Sequence, residues 1–255
     1  MIYVAISNDV PLQLAKVLQR IITAKRQTPA THFTVAISGG SCCKNLSKAL
    51  ELLSKDSDDD RREQLLSKWD IFLVDERFVP PEHDDSNYRA IKADILPFLK
   101  SSSLHPIEYD CNSISLPESA ARYDALLSSF SYHFDCIFLG IGPDGHTASL
   151  FPNHPLLAET AKKVCFIADS PKPPAERITL SLPILNDDDS AVVFVATGSE
   201  KKEIVTNVLS DNNSRKYPCG LVAKRNSKHS NNDIYWVVDE AAAPAAKAEQ
   251  AVLLL

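Results

Sequence analysis

Glycine is scarce in this chain: there are seven in 255 residues, against the roughly 18 that average usage near 7% would supply. A chain so sparing keeps glycine for places where the backbone needs φ > 0 or where another group comes close. Other absences narrow the function. No apolar run approaches the roughly 18 residues of a membrane span. The opening stretch MIYVAISNDVPLQ has no basic leader region and no long apolar one, so no signal peptide is expected. The formal net charge is −6, which argues against a general binder of nucleic acid or of membrane surfaces. The six cysteines, Cys42, Cys43, Cys111, Cys136, Cys165 and Cys219, include no C-x-x-C spacing. Reduced structural thiols in the cytoplasm are expected, with a strained Cys42–Cys43 disulfide as the other option. H-E-x-x-H, zinc-spaced Cys/His clusters and G-x-S-x-G are all missing, so neither a metal site nor a nucleophile elbow is expected.

Apolar residues make up 44% of the chain, enough for a substantial core. Short β-rich runs alternate with helical patterns. IYVAI precedes a helix carrying Leu14, Val17, Leu18, Ile21 and Ile22, and HFTVAIS precedes SCCKNLSKALELLSK. WDIFLVD, FDCIFLGIG, KKVCFIAD, RITLSLPIL, AVVFVATG and DIYWVVD read as further strands. Near-continuous apolar strands between amphipathic helices predict a mainly parallel sheet with helices on both faces, a doubly wound α/β fold. One domain over 1–255 is expected. KDSDDDRREQ and NDDDS read as solvated loops, and SPKPPAE as a stiff extended connection.

Five of the seven glycines fall in two loops that follow strands: Gly39 and Gly40 in AISGGSCCKN, and Gly140, Gly142 and Gly145 in LGIGPDGHT. Ligands of open α/β sheets bind at that edge. Strand, glycine pair and a helix starting near Ser41 make an anion-binding arrangement, with Ser38 and Ser41 adding hydroxyls. The alternative is a tight turn in which Ser41 merely caps the helix. The loop lacks the GK[ST] ending of a Walker A motif.

GIGPDG matches G-x-G-x-x-G, the spacing of a dinucleotide-binding turn. That reading needs a long helix after the third glycine and an acid near the end of the next strand. Pro152 shortens any helix, whereas Asp169 ends the strand KVCFIAD. Against it, the Asp144 carboxylate would repel a pyrophosphate. The other reading is acid–base chemistry by His146, whose ordinary pKa near 6.5 suits proton transfer, with Asp144 as its partner. Further positive charge is available from Arg77, which follows Asp75 and Glu76 after IFLV, from Arg177 at the start of RITLSL, and from Lys201 after VATG. Each of these also fits a structural ion pair or a surface role.

In their order, SGGS, DERFVPPEHDDSNY, LGIGPDGHTASLFP, RITLSLPIL, VATGSEKKEIV and YWVVDEAA resemble the glucosamine-6-phosphate isomerase/6-phosphogluconolactonase family, on its lactonase side. The deaminases of that family carry an aromatic residue where this chain has Arg77, and HIAFNEP where it has HTASLFP. The resemblance implies a NagB/CoA-transferase-like fold. It also implies hydrolysis of 6-phosphoglucono-1,5-lactone to 6-phosphogluconate in the pentose phosphate pathway, without organic cofactor or metal. Carried over, His146 is the general base and Asp144 its partner. Gly39, Gly40, Ser41, Arg77, Arg177 and Lys201 line the sugar-phosphate site, with Asp75 and Gly145 in the same site. A deaminase/isomerase and a non-catalytic sugar-phosphate sensor remain the alternatives. The expected partner is the small-molecule substrate alone, with a monomer or weak homodimer as the assembly and a cytoplasmic location. The chain departs from the family pattern at Cys42 and Cys43 in the glycine-pair loop, and at Cys219 and Gly220 in YPCGLV.

Overall fold

The computed structural model describes residues 2–25, 31–110, 113–210, 214–222, 233–243 and the backbone of 252–253. The strands are β1 (Ile2–Ile6), β2 (Phe33–Ile37), β3 (Trp69–Leu73), β4 (Asp75–Arg77), β5 (Ser103–Leu104), β6 (Cys136–Gly140), β7 (Val164–Ile167), β8 (Arg177–Leu180), β9 (Ala191–Ala196), β10 (Ile234–Val238) and β11 (Val252–Leu253). The α-helices are α1 (Val10–Lys25), α2 (Gly40–Ser54), α3 (Asp59–Leu66), α4 (Asn87–Asp94), α5 (Leu116–Ser129), α6 (Leu182–Leu185), α7 (Lys202–Leu209) and α8 (Pro218–Leu221).

Eight strands form one sheet in the order β11-β1-β10-β9-β6-β2-β3-β5, and every pairing in it is parallel. All residues of β3, β9 and β10 are buried, which requires cover on both faces. The helices follow from sequence in the usual ways. Leu14, Val17, Leu18, Ile21 and Ile22 give α1 one buried stripe. Asp58, Ser86 and Ser115 cap α3, α4 and α5 by accepting from the backbone N–H three residues on. The charge run before α3 is the predicted loop and helix start. Trp69, Phe33, Phe72, Phe138 and Phe194 fill the core. Among the described residues no helix is long and apolar enough to cross a membrane.

A second sheet was not foreseen. β4, β8 and β7 form a small antiparallel sheet in the order β4-β8-β7. KKVCFIAD and RITLSLPIL therefore do not join the parallel sheet. Nor do Asp75, Glu76 and Arg77 sit at the end of the third strand, because Val74 is a joint between the two sheets. Its N–H donates to Ile37 O in the large sheet (3.1 Å), and its carbonyl accepts from Leu180 N in the small one (2.8 Å). The Tyr123 hydroxyl locks this joint by donating to Leu73 O (2.7 Å) and accepting from Leu73 N (2.9 Å).

The dinucleotide reading of the second glycine loop fails on this topology. After Gly145 the chain makes an isolated bridge between Thr147 and Leu150, and only a single 3-10 turn at Pro155–Ala158 precedes β7 in place of a long helix. Asp169 comes after a strand of the small sheet and sits exposed beside His154. Cys42, Cys43, Cys136, Cys165 and Cys219 are buried, and no Cys42–Cys43 disulfide forms; Cys111 lies outside the described residues.

Candidate active site

Parallel pairing brings the carboxyl ends of β2, β3, β6 and β9 to one edge, and the loops leaving them meet over a cavity of about 220 Å³. Gly39, Gly40 and Ser41 line it from the first glycine loop. Gly39 is the N-cap of α2, with no side chain capping the helix, so the α2 amides beside the cavity are left for a ligand. Ser41 is exposed there and is not the cap. Cys42 and Cys43 point into the core, where burial pushes the Cys42 thiol far up and the Cys43 thiol up to about 12. That departure from the family pattern therefore lies behind the site wall.

The acidic stretch sorts by strand alternation, in which residues i and i+2 share a face. Asp75 and Arg77 line the cavity, whereas Glu76 turns away from it. The Glu76 carboxylate accepts from Arg77 N (2.7 Å), Ser86 Oγ (3.1 Å), Asn87 N (2.8 Å) and Tyr88 N (2.7 Å). It thereby anchors the start of α4; burial raises its pKa despite these donors. The anchor sets Asn87, whose Nδ2 donates to Asp75 O (2.9 Å), at the cavity wall. The Asp75 carboxylate is buried and accepts from Ser149 Oγ at 2.7 Å.

Positive charge converges on the same space. Arg77 and Arg177 are directly opposed across β4 and β8, a like-charge pairing that costs stability when nothing neutralises it. Arg177 is 3% exposed. It donates to the carbonyls of Lys172, Pro173 and Pro174 and lies over the Phe151 ring. Burial, with Arg77 adding to it, lowers its pKa. Lys201 lines the cavity too, and burial lowers its pKa. Three cations thus face one carboxylate, Asp75. Ser38 Oγ and Arg77 Nε, both on lining residues, are buried without a protein partner among the described residues. A native structure leaves such groups for a ligand or water.

His146 forms the other wall. Its Nδ1 lies 2.5 Å from Asp144 Oδ1, which assigns the Nδ1–H tautomer and leaves the Nε2 lone pair unengaged among the described residues. Phe151 packs on the ring at 5.0 Å. Burial lowers the His146 pKa, opposed by Asp144 and aided by Lys172, which favours the neutral ring, the form able to accept a proton. The Asp144 pKa is also lowered: burial opposes this, but the bonds from His146 and Lys172 prevail. Gly142 is required because a Cβ there would fall 1.9 Å from His146 Nδ1. Gly145 has φ +82 and sits under Tyr217. Asp144 and Gly145 do not line the cavity; they hold His146 from behind.

Three participants escaped the sequence reading: Lys172, Asn87 and Tyr217. Lys172 Nζ lies 3.2 Å from Asp144 Oδ1 and 3.1 Å from His146 Nδ1. It comes from SPKPPAE, which reads only as a stiff loop. Spacing could not have linked it to residues some 26 positions away.

Together these features define a doubly wound α/β protein whose sheet edge holds a pocket lined by three cations, with an imidazole on one wall. The model of the family described as glucosamine-6-phosphate isomerases/6-phosphogluconolactonase matches residues 7–236, and this chain belongs to that family. Similar proteins include "Probable 6-phosphogluconolactonase 4, chloroplastic" of Oryza sativa subsp. indica, 38% identical over 219 residues. That alignment takes in 80% of this chain and 64% of the rice protein, so the chain spans just under two thirds of that relative's length. "Probable 6-phosphogluconolactonase" of Schizosaccharomyces pombe is 35% identical over 252 residues, 92% of each chain. The solved structure of 6-phosphogluconolactonase from Trypanosoma cruzi shares the fold with a TM-score of 0.77 at 22% identity, covering 95% of this chain and 96% of that one.

Proposed function

We propose that this protein, as one domain, hydrolyses 6-phospho-D-glucono-1,5-lactone to 6-phospho-D-gluconate in the oxidative pentose phosphate pathway. The observation that carries the reading is His146, paired with Asp144, sharing one cavity with Arg77, Arg177 and Lys201. The phosphate docks on the Gly39–Ser41 amides with Arg177 and Lys201. This fixes the ring and lowers the entropic cost of attack. Nε2 of His146 takes a proton from water as the water oxygen adds to the lactone C1. Loop N–H groups or Arg77 hold the tetrahedral oxyanion. As the C1–ring oxygen bond breaks, His146 returns the proton to the departing oxygen. Asp75 accepts from a sugar hydroxyl. The buried cysteines support a reducing compartment such as the cytoplasm.

A coupled assay tests the reaction: glucose-6-phosphate dehydrogenase generates the lactone and 6-phosphogluconate dehydrogenase traps the product. The expected result is product formation well above the spontaneous background, with no ammonia released from glucosamine 6-phosphate. Ammonia release would assign the protein to the deaminases. Binding of 6-phosphogluconate with no rate above background would make it a sensor.

A further inference from the structure

The cluster behind His146 contains one group that the mechanism above does not use. Asp144 Oδ1, His146 Nδ1 and Lys172 Nζ form a triangle with sides of 2.5, 3.1 and 3.2 Å. We propose that Lys172 is a positioning residue of the dyad, holding the Asp144 carboxylate on Nδ1 and opposing a second positive charge on the ring; this rests on the lactonase reading.

Two physical points lead there. First, Nδ1 offers one hydrogen-bonding position. If Asp144 accepts the Nδ1 proton, the ammonium cannot also donate to Nδ1, and its available acceptor is the same carboxylate. Lys172 then pins Asp144 from beside the ring, sharing the Oδ1 that faces Nδ1. Second, a carboxylate alone beside an imidazole stabilises the imidazolium and would store the proton on the base. An ammonium at 3.1 Å cancels much of that attraction. The remaining charged groups near the ring do not supply this cancellation at contact distance. Asp75, from β4, favours the imidazolium. Arg177 lies beyond the Phe151 ring. Lys201 lines the cavity and interacts with Asp144 and Lys172. Lys172 is held in place by its own loop, since the guanidinium of Arg177 donates to its carbonyl at 3.0 Å.

The test compares Lys172→Met and Lys172→Arg with the wild type. Three readouts are taken: a ¹⁵N NMR titration of the His146 ring, the pH profile of kcat/KM, and KM itself. In Lys172→Met the ring titration and the acid limb should both move to higher pH. kcat/KM should fall about two- to fivefold on the acid side, the scale of one half-exposed charge pair, with KM and the alkaline plateau within about twofold of wild type. Lys172→Arg should restore most of the shift. An unmoved ring titration in Lys172→Met would overturn the proposal. So would a raised KM with an unmoved limb, which would make Lys172 a ligand of the substrate. A wild type without lactonase activity would sink the proposed reaction, while the NMR titration would still decide the role of Lys172.

Discussion

The two sheets are built to opposite rules. In the eight-stranded sheet β3, β9 and β10 are buried at every position, and aromatic residues pack between neighbouring strands, Phe33 against Trp69 and Phe194 against Trp236. In the three-stranded sheet the middle strand, β8, alternates polar and apolar residues, with Arg177 and Thr179 on one face and Ile178 and Leu180 in the core, while β4 beside it is charged throughout. It even sets two guanidinium groups opposite each other. The large sheet contributes stability and carries the site only at its edge. The small sheet gathers like charge at the cavity, at a cost in stability. The lesson is that the strained and unpaired features cluster where function needs them.

Four experiments can break this contrast. Phe72→Ala acts on the large sheet, where the ring is fully buried and packs on His105, Phe130 and Phe134. It should cost about 3–5 kcal/mol in urea unfolding while KM stays within error; a changed KM with little lost stability would contradict the division. Gly142→Ala acts on the edge. The added methyl displaces the imidazole, and kcat should drop about a hundredfold with KM held, since small misplacements at the reacting centre cost that much. Arg77→Met acts on the small sheet and should split activity from stability. kcat/KM is expected to fall by about 1.5–3 kcal/mol of lost charged hydrogen bonding. The melting temperature without substrate should hold or rise, because the repulsion with Arg177 is gone; a large drop would show that the pair is structural. The smallest effect is in pH. His146 must be neutral to act, and burial lowers its pKa. The acid limb of kcat/KM should therefore have its midpoint below the ordinary histidine value near 6.5. A midpoint at or above that value would mean the ring is not depressed.

Much of the large sheet was legible in the sequence because its signals are local and redundant. Strands such as AVVFVA are uninterrupted apolar runs, and α1 repeats its apolar residues at helical spacing. Both glycine loops were legible through scarcity. Arg77, Arg177, Lys201 and His146 were singled out from their place after or at the start of strands, and they line one cavity. The small sheet was not legible as a separate layer. Nothing in DERFV or RITLSL says which partner each strand takes, and Val74 continues the apolar run straight through the joint. Glu76 shows the cost: in sequence it stands between Asp75 and Arg77 with nothing to set it apart, yet alternation in a strand sends it to α4 instead. Lys172 and Tyr217 were hidden for another reason. Each reaches the Gly142–His146 loop from a distant segment, and only the folded chain sets that distance.

The account turns on His146. Background-corrected kcat for lactone hydrolysis in His146→Ala, measured beside wild type together with both melting temperatures, tests it most directly. A fall of at least about a hundredfold, the share of general base catalysis, with an unchanged melting temperature is the expected result. A folded variant turning over near the wild-type rate would contradict it.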